Sequence, residues 1–334
     1  MLETSILVGF GIFLALAFDF GNGWNDAANA VATVVATRVL SLRTAVLLSA
    51  FFNFIAAFFF TTAVAATIGK GIINASIVTV PVVIFGLAAS IAWVYGASWK
   101  GLPISASHAL IGGLAGSAVA AHGFGVLLWN GLATVLLFIF VAPLAGLIGA
   151  FLFSAVILRL VRNQAPDRVN GYFKKLQLLS MSVYSIGHGT NDAQKTIGII
   201  TLLLFSGGFL GTQFYIPWWV IILSYTTIAI GTLAGGWKVI KTMGVNITRL
   251  RPINGFCAET AGAGVIIGSS MFGIPVSTTH VISGAIMGVG TSKRISSVRW
   301  TVARKIVWAW IFTIPVTALV GAAAYFLFSP ILGA

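Results

Sequence analysis

Two polar motifs occur twice in this chain, in the same order and at nearly the same separation. Gly21-Asn-Gly-Trp-Asn-Asp-Ala-Ala-Asn29 returns as Gly187-His-Gly-Thr-Asn-Asp-Ala-Gln-Lys195, an offset of 166. Leu102-Pro-Ile-Ser-Ala-Ser-His108 returns as Ile274-Pro-Val-Ser-Thr-Thr-His280, an offset of 172. An internal duplication of this kind limits the fold to two copies of one unit. Its polar motifs must then take equivalent places in both copies.

The chain between the motifs belongs in lipid. Of its 334 residues 58% are hydrophobic and 7% charged, whereas a soluble domain carries about 25% charged residues. Apolar runs such as 44–69, 127–158 and 307–329 exceed the roughly 20 helical residues that a hydrocarbon core requires. The runs are continuous rather than alternating, which excludes a β-barrel. The expected class is an all-α polytopic membrane protein of about 10–12 membrane segments. The N-terminal apolar stretch lacks a basic leader and runs into the first motif, so it reads as a retained span. A single cysteine, Cys257, excludes an internal disulfide framework and a Cys-based metal cluster.

The net charge of +13 does not point to nucleic acid, because the basic residues cluster at the ends of apolar runs. Arg38 and Arg43, the stretch 159–175, Lys238 to Arg251 and Lys293 to Lys305 mark cytoplasmic loops under the positive-inside rule. Counting between them gives about ten crossings, five per half, with both termini outside. An odd number per half enters the two copies from opposite sides. Inverted repeats of this kind characterise secondary transporters, whose site lies near the midplane between the halves. The division is 1–160, a basic cytoplasmic linker at 161–175, and 176–334. Segments 5–36 and 176–206 are too long for one straight span and carry Gly-rich polar stretches, so each is expected to be a broken helix. The segments at Pro103 and Pro275 read as crossings or as re-entrant hairpins.

Six acids are present, and Asp19, Asp26, Asp192 and Glu259 fall inside apolar segments. A carboxylate at membrane depth costs at least about 2.5 kcal/mol, so it needs a partner or a task. Holding helices together by hydrogen bonds is the plainer role. Asp26 and Asp192 each follow an Asn and each have a symmetry mate, which favours cation or proton coupling through Asn25, Asp26, Asn191 and Asp192. Their carboxylate and carboxamide oxygens are the ligands that alkali cations such as sodium take. Asp19 has no such mate.

In the second motif, proline starts a helix whose first turn exposes free N–H groups. Ser105 and Ser107 in one copy, and Ser277, Thr278 and Thr279 in the other, add hydroxyls there. Helix starts of this composition suit an oxyanion, and the competing role of these hydroxyls is simple capping. The glycines that follow (Gly112, Gly113, Gly116; Gly284, Gly288) permit close helix packing. His108 and His280 end the two motifs and suit the orientation of the hydroxyl loop better than zinc ligation. Lys195 reads first as an ion-pair partner for Asp192. Glu259, and Asn53 in the first half, stand at polar positions of their own, as candidates for coupling or for structure.

At Gly23 to Asn29, Gly189 to Ala193 and the paired Pro-Ile-Ser-x-x-His and Pro-Val-Ser-Thr-Thr-His motifs, the chain resembles the PiT family of inorganic phosphate transporters. The two copies extend the likeness over nearly the whole length, and it is nearest the short prokaryotic branch. The resemblance implies import of inorganic phosphate driven by a cation gradient, a homodimer in the cell membrane, and no cofactor beyond the coupling ion. It places phosphate at Ser105, Ser107, Ser277, Thr278 and Thr279, with Gln194 as a further donor, and the coupling ions at the two Asn-Asp pairs. Many relatives, especially sodium-coupled ones, carry Glu where Asn53 stands. The neutral residue removes a potential coupling charge, which counts against sodium and leaves protons or a neutral metal–phosphate complex as the other options. A sulfate carrier of the same fold, a passive anion channel and an intramembrane enzyme are the alternatives. The enzyme would need a nucleophile, base and orienting group converging, and the hairpins lack a dedicated acidic orienter.

Overall fold

The computed structural model describes residues 2–59 and 61–332. Among them the regular structure is helical, apart from an isolated bridge between Ile73 and Leu127. The first half runs α1 (Leu2–Ala36), α2 (Leu42–Ile55), α3 (Ala63–Lys70), α4 (Val80–Lys100), α5 (Ala106–His122) and α6 (Trp129–Leu160). The second runs α7 (Pro166–Ser206), α8 (Trp218–Ala234), α9 (Trp237–Lys241), α10 (Pro252–Met271), α11 (Thr278–Thr291) and α12 (Trp300–Phe328). The order of long and short helices in the first six recurs in the second six.

Helices α1, α4, α6 and α12 are each long and apolar enough to cross a bilayer. Two bent pairs reach that length together: Leu42–Phe58 with Ala63–Lys70, at 84°, and Trp218–Ala234 with Trp237–Asn246, at 68°. The exposed helix faces are apolar, and the interior holds buried polar groups between two apolar clusters. Phe140, Leu144, Ile148 and Leu152 on α6, with Trp308, Ile311 and Leu319 on α12, are exposed, as lipid contact requires. Trp99, Trp129, Trp218 and Trp300 stand exposed at helix ends, where amphipathic rings meet the membrane interface. This is a multi-pass membrane protein.

The expectation of breaks in 5–36 and 176–206 is corrected: α1 and α7 are continuous over 35 and 41 residues. Their glycines serve close contact instead of unwinding. A Cβ at Gly23 would lie 2.4 Å from the Ile228 carbonyl oxygen, and one at Gly189 would lie 2.6 Å from that of Asn53. Several of their polar side chains, Asn25 and Asn191 among them, bond to neighbouring helices while the backbone stays helical. The basic stretch 161–175 is also less of a linker than expected, because Pro166 already opens α7.

Helices α5 and α11 have 17 and 14 residues, or about 26 and 21 Å against a hydrocarbon core of ~30 Å. They fit the hairpin alternative better than full crossings. Each follows a glycine in the left-handed region, Gly101 at φ 72° and Gly273 at φ 68°, that turns the chain back from α4 or α10. Helix α5 packs against α4 and α12, and α11 against α10 and α6, so each hairpin is clasped by the last helix of the other half. Backbones touch there as the glycine tracts anticipate. A Cβ at Gly116 would lie 2.0 Å from the Ala318 carbonyl oxygen, and one at Gly288 would lie 2.2 Å from that of Leu147. Gly288→Val is therefore expected to cost about 1–3 kcal/mol, read as a lower melting temperature of the purified protein. An unchanged melting temperature would mean that α6 and α11 separate freely.

Candidate functional site

The two Asn-Asp motifs meet at the centre of the molecule. The helical period brings Asp19, Asn22, Asp26, Asn29 and Thr33 onto one stripe of α1. Its middle faces Asp192 on α7. Ligand atoms of Asp26, His188 and Asp192 all lie within 4.8 Å of one another, and all three residues are buried.

The α11 hairpin closes onto this pair. Thr278 Oγ1 lies 3.1 Å from Asp26 Oδ2 and 2.9 Å from Asp192 Oδ2, and Thr279 Oγ1 lies 3.1 Å from Asp26 Oδ1. Asn29 Nδ2 donates to the same two hydroxyls at 3.1 and 3.0 Å. A threonine hydroxyl has one proton, so Thr278 cannot donate to both carboxylates at once. Two buried carboxylates thus converge on one donor.

Lys195 is the ammonium of the centre. Its Nζ donates to Asp192 Oδ1 and to Ser107 Oγ, and at 2.9 Å to the Val276 carbonyl. One side chain therefore joins α7 to the tip of the α5 hairpin and the entry to α11. The ion pair expected from sequence is present, and it also bridges the two hairpins. His188 Nε2 lies 3.1 Å from Asp192 Oδ2, while its Nδ1 lies 3.0 Å from Asn53 Oδ1. Asn53 Nδ2 donates to Thr232 Oγ1 at 2.9 Å. Asn53 therefore acts on the centre through the imidazole.

The remaining motif residues repeat one geometry in both copies. Asn25 Nδ2 donates to Ser98 Oγ at 2.6 Å, and Asn191 Nδ2 donates to Ser270 Oγ at 2.9 Å. Both leave the amide oxygen buried and without a hydrogen-bond partner, free to serve as a ligand. Ser105 and Ser277 cap α5 and α11, accepting from the backbone N–H of His108 at 3.2 Å and of His280 at 3.3 Å. For these two the plainer reading holds. The rings of His108 and His280 lie 4.7 Å apart, and His280 stacks on Trp310 at 3.9 Å. That aromatic stack fixes the two hairpins relative to each other, in keeping with an orienting role.

Two expected site residues lie elsewhere. Gln194 is turned away from the hydroxyls, because two residues along a helix from Asp192 is more than half a turn. It donates from Nε2 to the Thr61 carbonyl at 2.8 Å and accepts from Ala65 N–H at 3.1 Å, holding the start of α3. Glu259 accepts from Thr33 at 2.5 Å, from Gln177 at 2.9 Å and from Ser180, in a separate cluster further along α1. Asn53 and Glu259 lie on helices that do not correspond, α2 and α10. Asn29 and His188 stand inside the repeated motifs with no site role evident from sequence, and Ser98 and Ser270 outside them; all four border the centre. Asn29 stands one turn after Asp26, and the two serines share the 172-residue offset of the histidines.

The chain matches the phosphate transporter family over residues 22–321. It is 50% identical to the probable low-affinity inorganic phosphate transporter of Rhizobium meliloti (strain 1021), over 97% of each chain. Its identity to the protein of the same description from Bacillus subtilis (strain 168) is 40%, over 99% of each. Among solved structures it superposes on one described as the sodium-dependent phosphate transporter, with a TM-score of 0.87 and 26% identity, covering 98% of this chain and 100% of the other.

Proposed function

The chain belongs to the phosphate transporter family, and from that premise we propose that it imports inorganic phosphate by symport with a cation, Na⁺ or H⁺. It is a transporter and not an enzyme. The two halves, 1–160 and 176–334, act as inverted repeats that alternate access around the buried centre, with both termini outside and two protomers per assembly.

One observation carries the coupling: Asp26 and Asp192 converge on the single hydroxyl proton of Thr278, with Lys195 as their nearby ammonium. Two carboxylates and one ammonium in a water-poor centre leave a negative charge to be compensated. A sodium ion or a proton supplies that compensation, and the buried amide oxygens of Asn25 and Asn191 extend the oxygen set. Phosphate then binds at the hairpin tips through Ser107, Thr278 and Thr279, beside Lys195, while Ser105 and Ser277 hold the helix starts in shape. Coupling follows if the cation must occupy the carboxylates before these hydroxyls can turn to phosphate. The solved neighbour is described as sodium-dependent, which supports Na⁺.

Phosphate retains an acidic proton near neutral pH and sulfate does not, so a site lined by carboxylate acceptors favours phosphate. Uptake of radiolabelled phosphate into proteoliposomes, with sodium and pH gradients imposed separately, is the test. Accumulation should depend on one of the gradients and resist excess sulfate. Sulfate entry without phosphate entry would overturn the substrate, and gradient-independent flux would make the protein a channel.

A further inference from the structure

From a second group of buried polar atoms, we infer that Asp19, Asn22, Thr196 and Ser224 form a sodium site of their own, separate from the Asp26–Asp192 centre. Asp19 and Asn22 lie one turn apart on α1 and are 0% and 1% exposed. Both carboxylate oxygens and both amide atoms lack hydrogen-bond partners. So do the hydroxyls of Thr196 on α7 and Ser224 on α8, each fully buried. The Thr196 hydroxyl on α7 is within reach of the Asp19 carboxylate.

The duplication provides an internal control. At the offset of 166, Asp19 and Asn22 correspond to Ser185 and His188. Two equivalent close approaches, Gly189 on the Asn53 carbonyl and Gly23 on that of Ile228, align Asn53 with Ile228 and therefore Ser49 with Ser224. In the second copy these positions satisfy each other. Ser185 donates to Ser49 at 3.0 Å, and His188 meets Asn53 at 3.0 Å. In the first copy the asparagine's place is taken by Ile228, so Asn22 has nothing to bond. The serine's place is taken by Asp19, opposite Ser224. A role in packing would have kept the serine pair. A buried carboxylate in its stead, costing at least about 2.5 kcal/mol, needs a positive ligand.

Lys195 cannot be that ligand, since its three N–H donors go to Asp192, Ser107 and Val276. The group offers five buried oxygens: two from Asp19 and one each from Asn22, Thr196 and Ser224. Oxygens alone suit a hard cation rather than a transition metal. A single carboxylate balances one positive charge, which selects sodium over a divalent ion. Sodium binding here stands independently, while its consequence, a second coupled ion per phosphate, rests on the cation-coupled reading above.

The test is binding of ²²Na⁺ to the purified full-length chain in the absence of phosphate, with choline as the counter-cation. Asp19→Ser recreates the serine pair of the sister copy and should fold. It should remove one bound sodium per protomer or weaken its binding at least about tenfold, since affinity follows ligand charge. Asp26→Asn should retain that sodium. If Asp19→Ser is not monodisperse, the Thr196→Ala/Ser224→Ala variant should show the same loss without changing any charge. Wild-type sodium binding in the monodisperse variant, or no sodium binding by the unaltered protein, overturns the inference. Phosphate uptake by the same unaltered preparation tests the transporter reading separately. Proton-driven uptake with no bound sodium would defeat this inference alone, and bound sodium with no uptake would defeat the other alone.

Discussion

Gradient-driven phosphate uptake should fall to background in both Asp26→Asn and Asp192→Asn, yet only Asp192→Asn should also destabilise the protein. By sequence the two aspartates are equivalent, and by contacts they are not. Asp192 is the counter-ion of Lys195 and contacts His188. Neutralising it leaves a buried ammonium uncompensated, a change that typically costs about 3–5 kcal/mol. Asp26 instead accepts from the hydroxyls of Thr278 and Thr279. The amide keeps one acceptor oxygen for one hydroxyl and turns an NH2 donor to the oxygen of the other, so Asp26→Asn should change stability by no more than about 1 kcal/mol. Uptake of labelled phosphate and thermal melting of the same preparations separate the two effects. Wild-type accumulation in either variant would remove the coupling role from that aspartate. Equal stability in both would mean that Lys195 has a second counter-ion.

The fold class was legible because lipid leaves few choices: continuous apolar runs, sparse charge and basic loop ends admit a helical bundle and little else. Repeated motifs located the centre, since residues at one offset must take equivalent places. The breaks were misplaced because glycine has two uses that look alike in sequence. Gly21, Gly23, Gly187 and Gly189 read as points of unwinding, and they are points of close approach. Gln194 was misassigned for want of the helical phase, which separates it from Asp192 although the two are neighbours in the chain. Asn53 and Glu259 could not be sorted without knowing which helices correspond. The bridging role of Lys195 depends on Ser107 and Val276, 88 and 81 residues away, and no local pattern carries that information.

Lys195→Met should stop uptake and destabilise the protein, and adding Asp192→Asn should restore stability without restoring uptake. The single change leaves Asp192 without its ammonium and cuts the links from α7 to Ser107 on one hairpin and to Val276 at the entry to the other. Removing both charges replaces a buried ion pair by neutral groups, which is often neutral or stabilising by about 1–4 kcal/mol. Melting temperature should therefore rise from the single to the double variant. Transport should not follow, because the double variant has lost both the cation beside the hydroxyl-bearing tips and the charge opposite Asp26. Lys195→Arg separates charge from shape. Its planar fork does not match three donors splayed from one nitrogen, so it should bind phosphate weakly and transport slowly. A double variant that accumulates phosphate would reduce the Lys195–Asp192 pair to structural support and leave Asp26 alone to couple.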